Sequence, residues 1–188
     1  QKIITIPNFV NTTEFFPQST RECRKKFQFD QSDKILLSLS RLVKRKGHDI
    51  VIRAIQIVKE KIPEIKYLIA GTGDNPYKKM LKQLVNDLEL QSYVHFVGYI
   101  EENKKPLLYN ASDVYIMNSL DTDQKGDSEG FGITFLEANA CGKPVIGTNV
   151  GGIPDALENN VSGILVEPND PNATAEAIIQ LFSNKIFY

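Results

Sequence analysis

Short apolar runs alternate with longer stretches whose apolar residues recur every three to four positions, and the alternation repeats from Lys34 almost to the end of the chain. Runs such as ILLSL, YLIA, VYIM and VIGT have strand length and little polar alternation, as expected of strands covered on both faces. The pattern predicts strands over 35–39, 67–70, 94–97, 114–117, 145–148 and 164–166, and helices over 48–61, 76–88, 104–110, 132–141, 153–158 and 171–183. Strands and helices in strict alternation imply an α/β domain with a doubly wound parallel sheet of about six strands. In such sheets ligands bind beyond the carboxyl ends of the strands, so the loops that follow the strands are where chemistry is expected. Upstream, residues 2–6 read as a short strand or an incoming linker, broken at Pro7 and followed by a polar stretch to Pro17. Ser19 and Thr20 then cap a short helix on which Arg21, Arg24, Lys25 and Lys26 form a solvated basic face.

Composition narrows the partners. With 188 residues the chain can bury one good core. Lys plus Arg number 22 against 23 Asp plus Glu, and the aromatics are not set among basic residues, which excludes a nucleic-acid footprint. No apolar run is long enough to span a membrane, and the first residues lack a signal peptide's charged start and apolar core. Cys23 and Cys141 stand far apart in no metal-ligand pattern, which fits packing roles in a reducing compartment. Without a secretion signal, the Asn-x-Ser/Thr sequons at Asn11, Asn110, Asn160 and Asn172 read as chance.

The stretch from Asp127 to Asp155 concentrates the candidate chemistry. Gly130 and Gly132 let a backbone approach a ligand closely, and a helix starting near Gly132 aims the free N–H groups of Gly132, Ile133 and Thr134 at an anion such as phosphate. Glu129 and Glu137 lie eight positions apart, roughly 12 Å along an unbroken helix. That separation is too long for one reaction centre and suits the two ends of an elongated ligand. Singly, Glu129 also reads as a favourable charge before a helix N-terminus and Glu137 as a solvated helix carboxylate.

Three other loops add to this. SRLVKRKG, after the first strand, crowds four cations; Arg41 can fork onto phosphate and Lys46 add a point charge, whereas Lys44 and Arg45 read as solvated. His48 reads as a helix-start residue and His95 as a strand residue. AGTGDNP, after the second strand, fails as a dinucleotide fingerprint because Pro76 takes the third glycine position and no acidic residue ends the next strand. It remains a turn for close backbone approach, with Gly73 the better placed glycine. Tyr99, after the third strand, is a candidate to lie beside a base. Asp121 and Asp123 form an Asp-x-Asp, a possible metal holder, within a polar loop over 118–128 that reads more simply as mobile surface. Gly142-Lys143-Pro144 lacks the remainder of a P-loop.

Taken together, IPNFVNTTEFFP, LSLSRLVKRKGHDIVIRAI, YLIAGTGD, VHFVGYI and EGFGITFLEANACGKPVIGTNVGGIPDAL resemble, in order and spacing, the C-terminal donor-binding domain of GT-B-type retaining glycosyltransferases of group 1, or family 4. The last segment carries that family's Glu, seven residues, Glu signature. The resemblance implies a Rossmann-like domain over 1–188, one half of a two-domain enzyme, with 1–17 as the linker from an acceptor-binding domain that precedes it. It further implies a nucleotide-diphosphate sugar as donor and transfer with retention to a hydroxyl of a glycan or lipid, with no metal or other cofactor required. Arg41 and Lys46 would neutralise the diphosphate and Glu129 would face the transferred sugar, as the catalytic set. Gly132, Ile133 and Thr134 would bind the diphosphate through backbone N–H groups, Glu137 the ribose, and Phe131, Gly73 and Tyr99 would line the donor. The implied location is cytoplasmic, with any membrane association made through the other half. Two departures stand out: the loop before Glu129 is several residues longer than usual, and the chain stops at Tyr188 before the family's closing helices. On this reading the chain alone binds donor weakly and transfers little. The competing readings are a non-catalytic nucleotide-sugar binding module and a nicotinamide-binding domain.

Overall fold

The computed structural model describes residues 8–121 and 129–183; the expected first strand or linker at 2–6, Asp123 and the rest of the 122–128 loop, and the end of the chain from Asn184 lie outside them. All six expected strands form, as β1 (Lys34–Leu39), β2 (Ile65–Ala70), β3 (Val94–Gly98), β4 (Val114–Met117), β5 (Val145–Thr148) and β6 (Gly163–Val166). They make one parallel sheet in the order β3-β2-β1-β4-β5-β6. The order reverses between β1 and β4, so the loops after those strands diverge there and leave the crevice in which doubly wound sheets bind ligands.

Alternate residues of each strand point to opposite faces, which is why neither face could be polar. Leu36, Tyr67, Ile69, Ile116 and Ile146 pack under α2 (His48–Val58), α3 (Asn75–Asp87) and α7 (Pro171–Ser183). Ile35, Leu37, Leu39, Tyr115 and Met117 pack under α4 (Lys105–Ala111), α5 (Ile133–Ala140) and α6 (Ile153–Ala156). Each fully buried side chain of this kind contributes about 1.5–3 kcal/mol. Helix α2 stops at Val58 and α6 at Ala156, short of the predicted ends, because the amphipathic pattern runs on into turns that partly bury Ile62 and bury Leu157 without helical backbone.

The basic helix α1 (Thr20–Phe27) corrects one expectation. Ser19 caps it, accepting from the Glu22 N–H, but Arg24 is buried rather than solvated. Its guanidinium donates to the carbonyls of Ala111 and Gln31 and to Asp113 Oδ2 at 2.6 Å, and that same oxygen accepts from the Ile35 N–H. Arg24 therefore ties α1 to the end of α4 and the start of β1. The Asn110 sequon is buried as well, its amide bonded to the carbonyls of Phe16 and Pro106. Cys23 and Cys141 are buried free thiols, and burial pushes the Cys141 thiol up to about 11. Among the described residues no helix is long and apolar enough to cross a membrane.

Candidate functional site

The cationic loop after β1 folds as a short 3-10 helix, Lys44–Lys46, which turns Arg45 and Lys46 inward and leaves Lys44 and Arg41 at the surface. Lys46 Nζ forms an ion pair with Glu129 Oε2 and lies 3.2 Å from the Met117 sulfur, while Arg45 Nη1 reaches the same Glu129 oxygen at 3.1 Å. The expectation that Arg45 is solvated is thus corrected: its side chain is only 14% exposed. Burial pushes the Lys46 ammonium down from its ordinary range, and the Glu129 carboxylate pulls it back up. Such a cluster is held by mutual neutralisation, because an unpaired charge at this depth would cost several kcal/mol. Glu129 is itself held from outside the loop, since its carbonyl accepts from the Gly152 N–H at 2.9 Å.

From Glu129 the chain runs through Gly130 and Phe131 to Gly132, whose φ of 82° is left-handed and opens α5. The Ile133 and Thr134 N–H groups open α5 at its positive dipole end, while the Phe135 N–H already donates to the Gly132 carbonyl at 2.9 Å. Lys46, Glu129, Phe131, Gly132, Ile133 and Thr134 all face one cavity of about 450 Å³. On the other side of Thr134 is a second cavity, of about 280 Å³, with Arg41, Gly71, Thr72, Tyr99 and Ile100 among its walls. Arg41 and Lys46, expected to act together, therefore line two different cavities that share Thr134. The Thr134 hydroxyl is buried with no hydrogen-bond partner among the described residues; the Tyr115 hydroxyl donates instead to the Leu39 carbonyl at 3.4 Å.

Glu137, one turn beyond Thr134, accepts from the Tyr109 hydroxyl at 2.7 Å, and burial raises its carboxyl above the usual range. It is half-buried rather than a solvated helix carboxylate. Gly73 differs from its expected role. It forms a bridge to Leu42, and a Cβ there would stand 2.4 Å from the Leu42 carbonyl oxygen, so the backbone that approaches it belongs to the neighbouring loop; Gly71 and Thr72 face the cavity instead. Tyr99 is 69% exposed at the mouth of that cavity. The exposed His95 lies on β3 as expected, far from this crevice among Phe27, Phe29 and Lys66. Asp121 is exposed, and no cluster of three or more metal-ligating side chains occurs among the described residues.

Three features escaped the sequence reading: the turn of Arg45 toward Glu129, the unpartnered Thr134 hydroxyl, and a buried relay behind the first loop. In that relay His48 bonds Ser40 through Nε2 and the Tyr67 hydroxyl through Nδ1, each at 3.1 Å, and Tyr67 meets Ser38 at 2.8 Å. Burial lowers the His48 ring to about 4, so it is neutral at pH 7 and braces the loop that carries Ser40 and Arg41. Polar residues inside the otherwise apolar runs, Ser38 and Tyr67, were the available signal.

Known proteins give the same picture. Residues 19–188 match the family described as glycosyl transferases group 1. The GDP-mannose-dependent alpha-(1-6)-phosphatidylinositol monomannoside mannosyltransferase of Mycobacterium tuberculosis is 31% identical over 182 residues, 96% of this chain and 46% of that protein. The N-acetyl-alpha-D-glucosaminyl L-malate synthase of Bacillus anthracis is 32% identical over 183 residues, 97% of this chain and 45% of the relative. The chain thus spans about half the length of the curated relatives it matches. Among solved structures, the C-terminal domain of the group 1 glycosyl transferase LpcC from Francisella tularensis superposes with a TM-score of 0.81 at 27% identity, over 95% of this chain and 90% of that one. With the sheet order, the Glu129 to Glu137 segment and these matches in agreement, the chain belongs to the group 1 glycosyltransferases, as a C-terminal GT-B domain.

Proposed function

We propose that this chain binds a nucleoside diphosphate sugar and serves its transfer to a hydroxyl acceptor, with retention and without a metal ion. One observation carries the reading: two cavities share Thr134, at the start of α5, with Arg41 in the wall of one and Lys46 in the wall of the other. A nucleoside diphosphate sugar has the matching form, with an anionic centre and a neutral group at each end. The diphosphate sits against the first-turn N–H groups, between Arg41 and Lys46. The nucleoside extends past Glu137 toward Tyr99, and the sugar toward Glu129.

As the glycosidic bond breaks, negative charge grows on the leaving diphosphate, and fixed cations with oriented N–H groups stabilise it without reorganisation. These groups supply the neutralisation that a divalent ion would otherwise provide, which is the basis for proposing metal independence. The GDP-mannose and N-acetylglucosaminyl relatives support hexosyl transfer as the class, and the phosphatidylinositol monomannoside in the name of the first supports a glycan or lipid hydroxyl as acceptor.

Calorimetric titration with GDP, UDP and ADP in the presence of chelator tests the reading. At least one nucleoside diphosphate should bind, and an Arg41→Ala, Lys46→Ala double variant should weaken it by more than about tenfold, or roughly 1.4 kcal/mol. Binding that is indifferent to both substitutions, or that requires a divalent ion, overturns it.

A further inference from the structure

Resting on that donor reading, we infer that the cavity beyond Thr134 selects guanine, with Glu102 accepting from the base's N1–H and 2-amino group and Lys105 donating to its O6. Both residues line the cavity together with Tyr99 and Ile100. Lys105 Nζ and Glu102 Oε2 are 2.6 Å apart, so a donor and an acceptor stand side by side at the wall.

This pair differs from the other ion pairs at the same i, i+3 spacing among the described residues. In Lys25 with Glu22 and Lys104 with Glu101, every side chain is more than half exposed. Lys105 is drawn in to 21% exposure while Glu102 keeps 76%, leaving the carboxylate open to a ligand and the ammonium held in the wall. Both are also close enough to Glu137 to act on its charge, which puts them beside the carboxylate assigned to the ribose.

The order of hydrogen-bonding groups on each base decides the match. Guanine presents an acceptor and then two donors along one edge, and a carboxylate takes two adjacent N–H groups at once. Uracil presents acceptor, donor, acceptor, so its second carbonyl would oppose Glu102. Adenine presents a donor and then an acceptor, the reverse of what Lys105 and Glu102 require, so donor would face donor and acceptor face acceptor. Tyr99, at the mouth, supplies a ring face for any base and does not discriminate.

Titration with GDP, UDP, ADP and inosine diphosphate, which lacks only the 2-amino group of GDP, tests the assignment in wild type and Glu102→Ala. GDP should bind about tenfold more tightly than each of the others, the scale of a hydrogen bond to a charged group. The preference for GDP over inosine diphosphate should disappear in Glu102→Ala, a change that general loosening of this exposed site would not produce. UDP or ADP binding as tightly as GDP, or an unchanged GDP to inosine diphosphate ratio in the variant, overturns the guanine assignment. If the Arg41 and Lys46 substitutions still weaken binding in that case, the donor reading stands. Failure of every diphosphate to bind overturns both.

Discussion

Of the two cavities that share Thr134, one has Lys46 and Glu129 in its wall, already paired with each other, with Arg45 on the same Glu129 carboxylate; the other has Ser40, Tyr99 and Ile100, with Arg41 exposed. The first region is electrostatically closed. An anion entering there must compete with a resident carboxylate, and the cluster contributes to the fold whether or not a ligand is bound. The second is electrostatically more open: apart from the Lys105–Glu102 pair in its wall, Tyr99 and Arg41 have no side-chain partner among the described residues. Substitutions in the first should therefore register in stability as well as in affinity, and those in the second in affinity alone.

The sharpest break comes at Glu129. Glu129→Ala leaves Lys46 and Arg45 facing one another without their shared carboxylate, and should cost about 3 kcal/mol or more of unfolding free energy in a urea titration. Adding Lys46→Met should recover part of that loss, since the buried charge is then removed as well. Loss of less than about 0.5 kcal/mol in the single variant would show that the closed region is not held by charge.

A somewhat smaller effect tests the brace behind the open region. The His48 ring is lowered by burial from 6.5 to about 4, so the native state favours the neutral form. The associated stability is present above pH 6.5 and is lost as the pH falls toward 4, on the order of 3 kcal/mol in all. Unfolding measured at steps between pH 7 and 4 should show this slope, and His48→Gln, which cannot titrate, should flatten it. An equal slope in both proteins would assign the acid sensitivity elsewhere.

Tyr99→Ala should have the smallest effect on the fold and still sharpen the contrast. At 69% exposure the ring adds little to stability, so unfolding should shift by no more than about 0.5 kcal/mol. Nucleoside diphosphate affinity should fall by about 1 kcal/mol or more, the scale of base stacking on an aromatic ring. Unchanged affinity would remove Tyr99 from the site.

Much of this was legible in the chain itself. The apolar runs place six strands, because a strand covered on both faces has no polar side to show; the alternation with helices makes the sheet parallel and puts function in the loops after the strands. The glycines around Phe131 mark the start of α5, where Gly132 takes a left-handed φ. Glu137 stood out by spacing, as did Arg41 and Lys46 by the crowding of charge in one loop. Tertiary structure alone decided what each of these groups meets. Lys46 and Glu129 are 83 positions apart, and Arg24 finds Asp113 across 89. Nothing local distinguishes Arg45, which turns in, from Lys44, which stays out, or a Gly73 pressed on Leu42 from one facing a ligand. Periodicity and turn chemistry are properties of neighbours along the chain, whereas the partner of a charge is set by which loops the strand order brings to one crevice.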